Sequence, residues 1–451
     1  MLLTRSLEAK LLAVRRVTTS KGAKTGGVDG LLYSSDADKI KLALSLRQRG
    51  YKAKPLRRVY IPKSNGKKRA LGIPTLRDRA MQALYLMALE PIAETQADLN
   101  SYGFRSYRST ADAVERCFKV LCNKNSVRWI LEGDIKACLD KISHKWLSEN
   151  IPLEKRILRQ WLKAGYIEKQ AIFPTTEGTP QGGIISPVLA NMSLDGLEQV
   201  IKQGVEGKSK RKVHVVRYAD DFVVMGSSKE LLETDVKPII MEFLAERGLE
   251  LSAEKTRITS IDQGFDFLGF NIRKYRDKLL IKPAKSKIIA FFVGKIRQLI
   301  KSHPTIKADE LVSMLNPKIR GWAYYYRHVV SKRIFGYIDD QIYRCLSYWT
   351  RRRHPNKNFA WIGNKYFHRR GNYNWIFFGT QEKRNGEKVV KDLEKASHIP
   401  IKRHIKVKAE ATAYDPKYTS YLANRKQDRN SKMYHFWQIS TLKLWGEKLW
   451  M

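Results

Sequence analysis

Residues 213–225 read VHVVRYADDFVVM, and this stretch decides the predicted fold. Apolar, mostly β-branched residues flank a short polar break, a pattern typical of two antiparallel strands joined by a tight turn. Asp220 and Asp221 stand at the tip of this predicted hairpin. Adjacent carboxylates repel one another unless a cation lies between them, so the pair indicates a metal site. The alternative is an ordinary acidic turn, because Asp is common in turns.

Another strand is predicted over Val127–Ile130 and runs into Glu132-Gly133-Asp134, which places a third carboxylate, Asp134, at a strand end. Asp134 can complete with Asp220 and Asp221 a site for two Mg²⁺ ions about 3.5–4 Å apart, which can bridge an attacking hydroxyl and a leaving phosphate. The segment Thr179 to Gly183 adds small residues, and Lys63 and Arg69 add positive charge, both of which suit a nucleoside triphosphate. The pattern therefore predicts polymerase chemistry.

The chain is strongly basic. Its 451 residues carry 85 Lys and Arg against 44 Asp and Glu, a net charge of +41. Residues 271–451 hold 40 of these cations but 13 of the acids, so the positive charge is concentrated there. Lys and Arg side chains that contact the phosphates of a nucleic acid release its bound counterions, and this release favours binding. The high positive charge therefore predicts nucleic acid as the partner. The alternative is a basic surface whose only effect is solubility.

Cysteine spacing and hydropathy exclude several classes of protein. The four cysteines include no Cys-x-x-Cys pair, which argues against a zinc ribbon and a disulfide scaffold. No apolar run reaches the roughly 18 residues that a membrane span needs, and the first residues lack the apolar core of a signal peptide. We therefore expect a reducing, cytosol-like compartment and no membrane partner.

The periodicity of apolar residues divides the rest of the chain. It predicts helices over Leu7–Val17, 77–95 and 109–122, a basic hairpin over 57–69 with its turn at Asn65-Gly66, and a helix beginning near Ser143. After Phe270 the pattern is helical and basic, and we expect a small helical bundle. One of its helices carries an apolar stripe made of Tyr337, Ile338, Ile342, Cys345, Leu346 and Trp349.

Seven blocks, taken in order, resemble the reverse transcriptase and maturase encoded by bacterial group II introns. The matching segments are Arg58–Lys63 with Leu71–Thr75, Ser101–Arg105, Asp134–Cys138, Thr179–Pro187 with Leu189–Asn191, Tyr218–Asp221, Gly248-Leu249 with Leu251-Ser252 and Glu254–Thr256, and Phe267–Phe270. Further matches at Gly321-Trp322 and Tyr325–His328 extend the resemblance over most of the chain. The HNH endonuclease found in some family members needs paired cysteines that this sequence lacks, so we expect none.

The resemblance implies an α+β fold: a right-hand polymerase with fingers, a ferredoxin-like palm built on an antiparallel sheet, and an α-helical thumb or maturase bundle. It places an N-terminal remnant and the fingers in residues 1–125 and the palm in 126–272, with about 145–190 belonging to the fingers. The thumb or maturase domain follows in 273–385, and residues 386–451 resemble a basic DNA-binding region.

The resemblance also implies the site residues. The catalytic carboxylates are Asp134, Asp220 and Asp221, which bind two Mg²⁺ ions together with the carbonyl of Ile135. The nucleotide pocket comprises Lys63, Arg69, Ile135, Lys136, Ala137, Cys138, Leu139, Pro180, Gln181, Gly182 and Lys255. For Lys255 the alternative is an ordinary surface lysine. We expect nucleic-acid contacts from Arg327, Arg351, Arg352 and Arg353, although an arginine run is also typical of a solvated helix face.

The implied activity is RNA-dependent DNA synthesis by an enzyme that also binds its intron RNA as a splicing maturase and supports intron mobility. Its partners are then group II intron RNA, an RNA template with a DNA primer, a DNA target and dNTPs; a homodimer is one option. The location is the bacterial cytoplasm, with an organelle as the alternative. The alternative function is a non-catalytic maturase whose palm is only a scaffold.

Leu139 departs from the family pattern, which usually has Phe five residues after the first catalytic aspartate. An aromatic ring there blocks the 2′-hydroxyl of a ribonucleotide. A branched aliphatic side chain fills less planar area, so we expect weaker selection against ribonucleotides.

Overall fold

The computed structural model describes residues 3–62, 68–206, 212–284, 289–383 and 385–429, and of residues 426–429 only the backbone. These residues form two compact units. The first unit comprises the chain up to Ile261 together with Lys406–Arg429, and the second comprises Asp262–Ile405. Lys63 and the predicted Asn65-Gly66 turn lie outside the described residues.

Helices of the first unit begin where the sequence supplies caps. Ser6, Ser35, Thr75 and Ser143 each accept a hydrogen bond from a backbone amide in the first turn of the following helix. The helices are α1 (Leu7–Thr18), α2 (Asp36–Ser45), α3 (Leu76–Gln96), α4 (Thr110–Leu121), α5 (Cys138–Lys141), α6 (His144–Asn150), α7 (Lys155–Leu162), α8 (Ser186–Leu194), α9 (Leu197–Val205) and α10 (Lys237–Ala245). The predicted start at Ser143 is confirmed, as are α1, α3 and α4, each to within one residue of its predicted bounds. None of the described helices, in either unit, has the length and apolar character needed to cross a membrane.

Two sheets belong to the first unit. Their strands are β1 (Leu56–Pro62), β2 (Lys68–Ile73), β3 (Trp129–Asp134), β4 (Tyr166–Glu168), β5 (Ala171–Phe173), β6 (Val213–Tyr218), β7 (Asp221–Gly226) and β8 (Arg257–Ser260). One sheet has the order β2-β1-β4-β5, and the other, which we call the palm sheet, has the antiparallel order β6-β7-β3-β8. The hairpin predicted at residues 213–225 is confirmed as β6 and β7. The strand predicted over Val127–Ile130 is observed as β3, but it begins at Trp129, where its pairing with β7 and β8 starts, and its pairing with β7 continues to Asp134.

The palm sheet has buried residues on both faces. Leu131 of β3, Val224 of β7 and Val215 of β6 are paired across the strands and share one buried face, and Ile130 is buried on the other face. Helices α4 and α9 contact β6. Each fully buried aliphatic side chain contributes roughly 1.5–3 kcal/mol relative to an exposed one. The polar ends of these strands are therefore held by a well-packed core.

The second unit combines helices with two small antiparallel sheets. Its elements are β9 (Phe265–Phe267), β10 (Phe270–Tyr275), β11 (Lys278–Pro283), α11 (Ala290–Ser302), α12 (Ala308–Tyr326), α13 (Lys332–Arg353), α14 (Phe359–Tyr366), β12 (Phe367–Arg370), β13 (Tyr373–Glu382) and β14 (Lys388–Asp392). The sheets have the orders β11-β10-β9 and β12-β13-β14. The helices predicted after Phe270 are present, and the strands that accompany them were not predicted. In β10 the buried residues are Phe270, Ile272 and Lys274, an alternation that the basic side chains obscured in the sequence. Helices with antiparallel sheets confirm the predicted α+β class.

Helix α13 buries four of the six residues of the predicted apolar stripe, whereas Cys345 is partly exposed and Tyr337 is exposed. Ile338, Ile342, Leu346 and Trp349 are buried at intervals of three or four residues. Tyr337 is 52% exposed because it precedes Ile338 by one residue and therefore projects about 100° away around the helix.

The segment Lys406–Arg429, which ends in α15 (Thr419–Arg429), packs against α4. Asp112 of α4 is fully buried. Its carboxylate accepts hydrogen bonds from the Val407 amide at 2.8 Å and from the Arg425 guanidinium at 2.7 Å. This segment is therefore an integral part of the first unit, fastened to it by a buried charge.

Candidate active site

The register of the palm sheet places two of the predicted carboxylates side by side. β3 and β7 run antiparallel with Asp134 opposite Asp221 at the end of the pairing. Directly opposed residues have Cα atoms about 4.5–5.5 Å apart, so the two side chains leave the same face of the sheet as neighbours. Asp220 lies in the turn between β6 and β7. The fold thus brings all three predicted carboxylates to one end of the palm sheet.

Close backbone approaches fix the turn that carries Asp220. Ala219 adopts a left-handed conformation with a φ of +57°. A Cβ at Gly103 would lie 2.3 Å from the Ala219 nitrogen, so only glycine fits there. A Cβ at Gly133 would likewise lie 2.2 Å from the ring of Phe222, which packs across β3. These contacts hold the turn and the strand end in one relative position.

Arg217 lies beneath this turn and is 1% exposed. Its guanidinium pairs with the Asp195 carboxylate and donates to the Asn191 side chain at 3.3 Å and the Ala219 carbonyl at 3.4 Å. Burial raises the pKa of Asp195 to about 6, an effect that Arg217 opposes. The sequence analysis missed this pair, although a charged residue inside an apolar strand was the available signal.

Lys255, predicted in the nucleotide pocket, contacts Asp134. Its Nζ lies 2.9 and 3.0 Å from the two carboxylate oxygens. A short backbone pairing brings the two together: the Ser252 amide donates to the Asp134 carbonyl at 2.8 Å, and the Lys136 amide donates to the Glu250 carbonyl at 2.9 Å. In this arrangement the ammonium group balances the charge of Asp134 and orients its carboxylate.

The donor set suits a divalent cation, because carboxylate and carbonyl oxygens are the ligands that Mg²⁺ prefers. The Ile135 carbonyl was predicted as a metal ligand. It takes part in neither of the two backbone hydrogen bonds described above, which use the Asp134 carbonyl and the Lys136 amide. Within the described ranges, no three His, Cys, Asp or Glu side chains converge closely enough to hold a metal ion. Joint binding by all three carboxylates therefore requires their side chains to come closer together than they lie in this structure.

Arg69, Gln181 and Asp140 form a hydrogen-bonded chain. Arg69 Nε donates to Gln181 Oε1 at 2.7 Å, and Gln181 Nε2 donates to Asp140 Oδ1 at 2.6 Å. Burial lowers the pKa of Arg69, while the nearby carboxylates of Asp220 and Asp140 oppose that shift. The guanidinium stays protonated at neutral pH. Asp140 was not predicted as a site residue, since only its contact with Gln181 reveals it.

Four of the predicted pocket residues have side chains that are absent, small or packed against the hydrophobic core. Gly182 has a φ of +127°, and a Cβ there would lie 2.8 Å from a carbonyl oxygen of β2. Ala137 is left-handed with a φ of +48°. Cys138 lies in the hydrophobic core, where burial raises the pKa of its thiol. Leu139 packs against the same core, and its carbonyl accepts a hydrogen bond from the Thr179 amide at 2.6 Å.

Two further predicted residues lie in surface loops. Lys136 is exposed, with its Nζ 3.8 Å from an oxygen of the Glu250 carboxylate. The Pro180 carbonyl accepts a hydrogen bond from the Ser186 hydroxyl at 2.8 Å, which ties the loop to the start of α8.

The four predicted nucleic-acid contacts belong to the second unit. Arg327 follows α12, and its guanidinium lies 4.3 Å from the centroid of the Tyr324 ring. The other three arginines form the last turn of α13. Arg351 and Arg352 are exposed, whereas the guanidinium of Arg353 lies 5.0 Å from the centroid of the Trp349 ring.

Three family models match the chain. Residues 61–272 match the model described as reverse transcriptase (RNA-dependent DNA polymerase), residues 289–367 match the group II intron, maturase-specific domain, and residues 1–46 match the N-terminal domain of reverse transcriptase.

Two curated proteins are among the similar sequences. The group II intron-encoded protein LtrA of Lactococcus lactis subsp. cremoris is 30% identical over 432 residues, covering 74% of this chain and 71% of LtrA. Protein YkfC of Escherichia coli (strain K12) is 33% identical over 311 residues, covering 59% of this chain and 80% of YkfC. A solved structure, a telomerase from Candida albicans in complex with a fragment of telomeric RNA, matches with a TM-score of 0.41 at 14% identity, covering 69% of this chain and 64% of that one.

Proposed function

The chain belongs to the family of group II intron-encoded proteins, which join a reverse transcriptase to a maturase domain, and on this basis we propose that Asp134, Asp220 and Asp221 are its catalytic carboxylates. As a member of this family it is an RNA-directed DNA polymerase that uses divalent metal ions and has RNA as a partner. The observation that carries the assignment is the strand register, which opposes Asp134 and Asp221 and sets Asp220 in the adjoining turn.

The metal in this proposal is Mg²⁺, with two ions bound. Asp134, Asp220 and Asp221 would supply carboxylate oxygens, and Ile135 a backbone carbonyl. The chemistry that the ions supply when bound is activation of a primer 3′-hydroxyl and neutralisation of charge on the triphosphate. Lys255 holds the Asp134 carboxylate at the strand end, where this chemistry takes place.

The nucleotide in this proposal is a dNTP, with Arg69 as a cation for its triphosphate. Gln181 fixes the Nε edge of the guanidinium, and the remaining N–H groups can bind phosphate oxygens in a bidentate way. Asp140 in turn fixes the Gln181 amide. Lys63 remains a predicted second cation outside the described residues.

The proposed polymers are an RNA template with a DNA primer, group II intron RNA and a DNA target. The concentration of positive charge in residues 271–451, where Arg327 and Arg351–Arg353 lie, supports phosphate contacts by the maturase part. The proposed location is the bacterial cytoplasm, supported by the bacterial source of LtrA. A non-catalytic maturase is not favoured, because the reverse transcriptase match includes all three carboxylates.

Metal binding at the carboxylates can be tested with Mn²⁺ as a paramagnetic probe. We expect Asp220→Asn with Asp221→Asn to weaken Mn²⁺ binding to the full-length protein by about tenfold or more, measured by electron paramagnetic resonance, because two anionic ligands are lost. Asp36→Asn is the matched control, since Asp36 is an exposed carboxylate of the same unit paired with Lys39 at 2.7 Å. Equal Mn²⁺ affinity in the double variant and the wild type would refute the assignment.

Sugar selectivity depends on Leu139 in this proposal. We expect Leu139→Phe to raise the preference for dNTPs over NTPs by about tenfold in single-nucleotide incorporation, because a larger ring leaves less room for the 2′-hydroxyl. Leu139→Met conserves volume and should leave the ratio unchanged. The idea fails if the Phe variant incorporates NTPs as readily as the wild type.

A further inference from the structure

A basic cavity lies in the second unit between α11 and α13, with a volume of about 660 Å³. Five cationic side chains line it: Arg297, Lys301, Arg344, Arg352 and Arg353. Among the described residues that line it, none is acidic. Arg344 is paired with Asp340 one turn earlier at 2.9 Å, while within the described part of the chain Arg297, Lys301 and Arg352 have no acidic partner. The cavity therefore favours an anionic occupant.

Two aromatic side chains line the same cavity, and they differ in their roles. Trp349 is 5% exposed, and its indole Nε1 donates to the His303 carbonyl at 2.9 Å, so it is a fixed part of the wall. Tyr348 is 60% exposed, which leaves its ring accessible to an occupant. The cavity thus offers a flat apolar face beside several cations.

We infer that this cavity binds one unpaired nucleotide of an RNA, with its base against Tyr348 and its phosphates near Arg297, Lys301 and Arg352. The inference rests on the proposed function, in which structured RNA is the partner of the maturase part. Unpaired bases turned out of a helix are the parts of RNA that stack on aromatic and arginine side chains. The volume lies within the usual range of small-molecule sites, roughly 300–1,000 Å³.

Other occupants fit less well. A paired base is confined within its helix and cannot enter a cavity. An acidic peptide would satisfy the cations but supplies no flat ring for Tyr348. A free nucleotide shares the chemistry of base and phosphate, so the experiment has to separate it from a nucleotide within an RNA.

The test compares two RNAs by fluorescence anisotropy with the full-length protein at fixed salt. One is a fully paired hairpin, and the other is the same hairpin with a single bulged 2-aminopurine. We expect the bulged RNA to bind about tenfold more tightly, with its 2-aminopurine fluorescence quenched by stacking on Tyr348. Tyr348→Ala should abolish both the preference and the quenching, and Tyr348→Phe should retain them.

Neighbouring arginines provide a matched pair of variants. Arg352 lines the cavity, whereas Arg351 does not and lies with its guanidinium 5.8 Å from the centroid of the Phe359 ring. We expect Arg352→Gln to reduce the preference for the bulged RNA. Arg351→Gln removes the same charge and should weaken binding of both RNAs equally.

Four outcomes would overturn the assignment. Salt-sensitive but equal binding of the two RNAs refutes the cavity and leaves RNA as a partner. Absence of salt-sensitive binding to either RNA refutes the cavity and the RNA-binding role together. Displacement of the bulged RNA by polyglutamate as effectively as by unlabelled bulged RNA identifies an acidic peptide site, and equally effective displacement by free ATP identifies a free-nucleotide site.

Discussion

Replacing Arg217 with Met is expected to destabilise the first unit by about 3–5 kcal/mol, because it leaves a buried carboxylate without its cation. Arg217 pairs with Asp195, and its guanidinium lies 4.0 Å from the Asp98 carboxylate. Loss of the guanidinium also removes a donor to the Ala219 carbonyl in the turn that carries Asp220. We therefore expect lower polymerase activity at temperatures where the variant is still folded.

Thermal unfolding monitored by circular dichroism measures this effect, with a fall in Tm of about 5–15 °C expected for the first unit. Arg16→Met is the control, since Arg16 is an exposed arginine of the same unit, 3.8 Å from Glu90. Exposed pairs contribute about 0–1 kcal/mol, so its Tm should barely change. A similar small shift for Arg217→Met would contradict the structural role of the buried pair.

The defect of Arg217→Met should also depend on pH. Burial raises the pKa of Asp195 to about 6 even with Arg217 present. A carboxyl group whose pKa is raised by folding disfavours the folded state above that pKa, and the penalty is relieved as pH falls toward the unfolded value of about 3.9. Without Arg217 nothing from that guanidinium opposes the effect of burial on the pKa of Asp195, so protonation of Asp195 at low pH relieves a larger penalty on the folded state. The Tm difference from the wild type should therefore be smaller near pH 5 than near pH 8, provided that both proteins unfold reversibly.

Replacing Asp112 with Ala is expected to destabilise the first unit by a similar amount, about 3–5 kcal/mol. Asp112 is fully buried and accepts hydrogen bonds from Ser109, Val407 and Arg425. Its loss removes the carboxylate that pairs with the buried Arg425 guanidinium, so the segment Lys406–Arg429 should detach before the rest of the unit unfolds.

Limited trypsin digestion reports this detachment, because Lys406 and Lys408 become cleavable once the segment is released. We expect faster cleavage there in Asp112→Ala than in the wild type, together with a lower Tm. Asp415→Ala is the control within the same segment, since Asp415 caps a short exposed turn through the Lys417 amide at 2.9 Å. Equal cleavage rates in Asp112→Ala and the wild type would show that this buried charge does not fasten the segment.

Local sequence patterns were sufficient to predict the strands that carry the three proposed catalytic carboxylates. The hairpin that carries Asp220 and Asp221 follows from apolar strands on both sides of a polar turn, and Asp134 was predicted at a strand end. The reverse transcriptase and maturase function, and with it the right-hand polymerase class, was predicted from ordered motifs and is confirmed by the family matches. The nucleotide-pocket assignments stay predictions, although Arg69 and Gln181 lie in direct contact.

Contacts between distant parts of the chain could not be predicted. The partners of Arg217 and Asp112 lie 22 and 313 residues away in sequence, at Asp195 and Arg425. Arg217 stands out as a charge inside an apolar strand, but no local pattern identifies Asp195 or Arg425 as a partner. The contact of Lys255 with Asp134 depends on a backbone pairing between segments more than a hundred residues apart. Basic side chains obscured the strand alternation after Phe270, because charge lowers the apparent apolar periodicity.

Primer extension on an RNA template with dNTPs and Mg²⁺ tests the central claim most directly. The wild-type protein is expected to synthesise cDNA, and Asp220→Ala with Asp221→Ala to synthesise none, because the metal-binding carboxylates of the turn are lost. An unchanged Tm and unchanged RNA binding in the double variant would show that the loss concerns chemistry alone. Extension by the double variant at the wild-type rate, or no extension by a wild-type protein that binds structured RNA, would contradict the account.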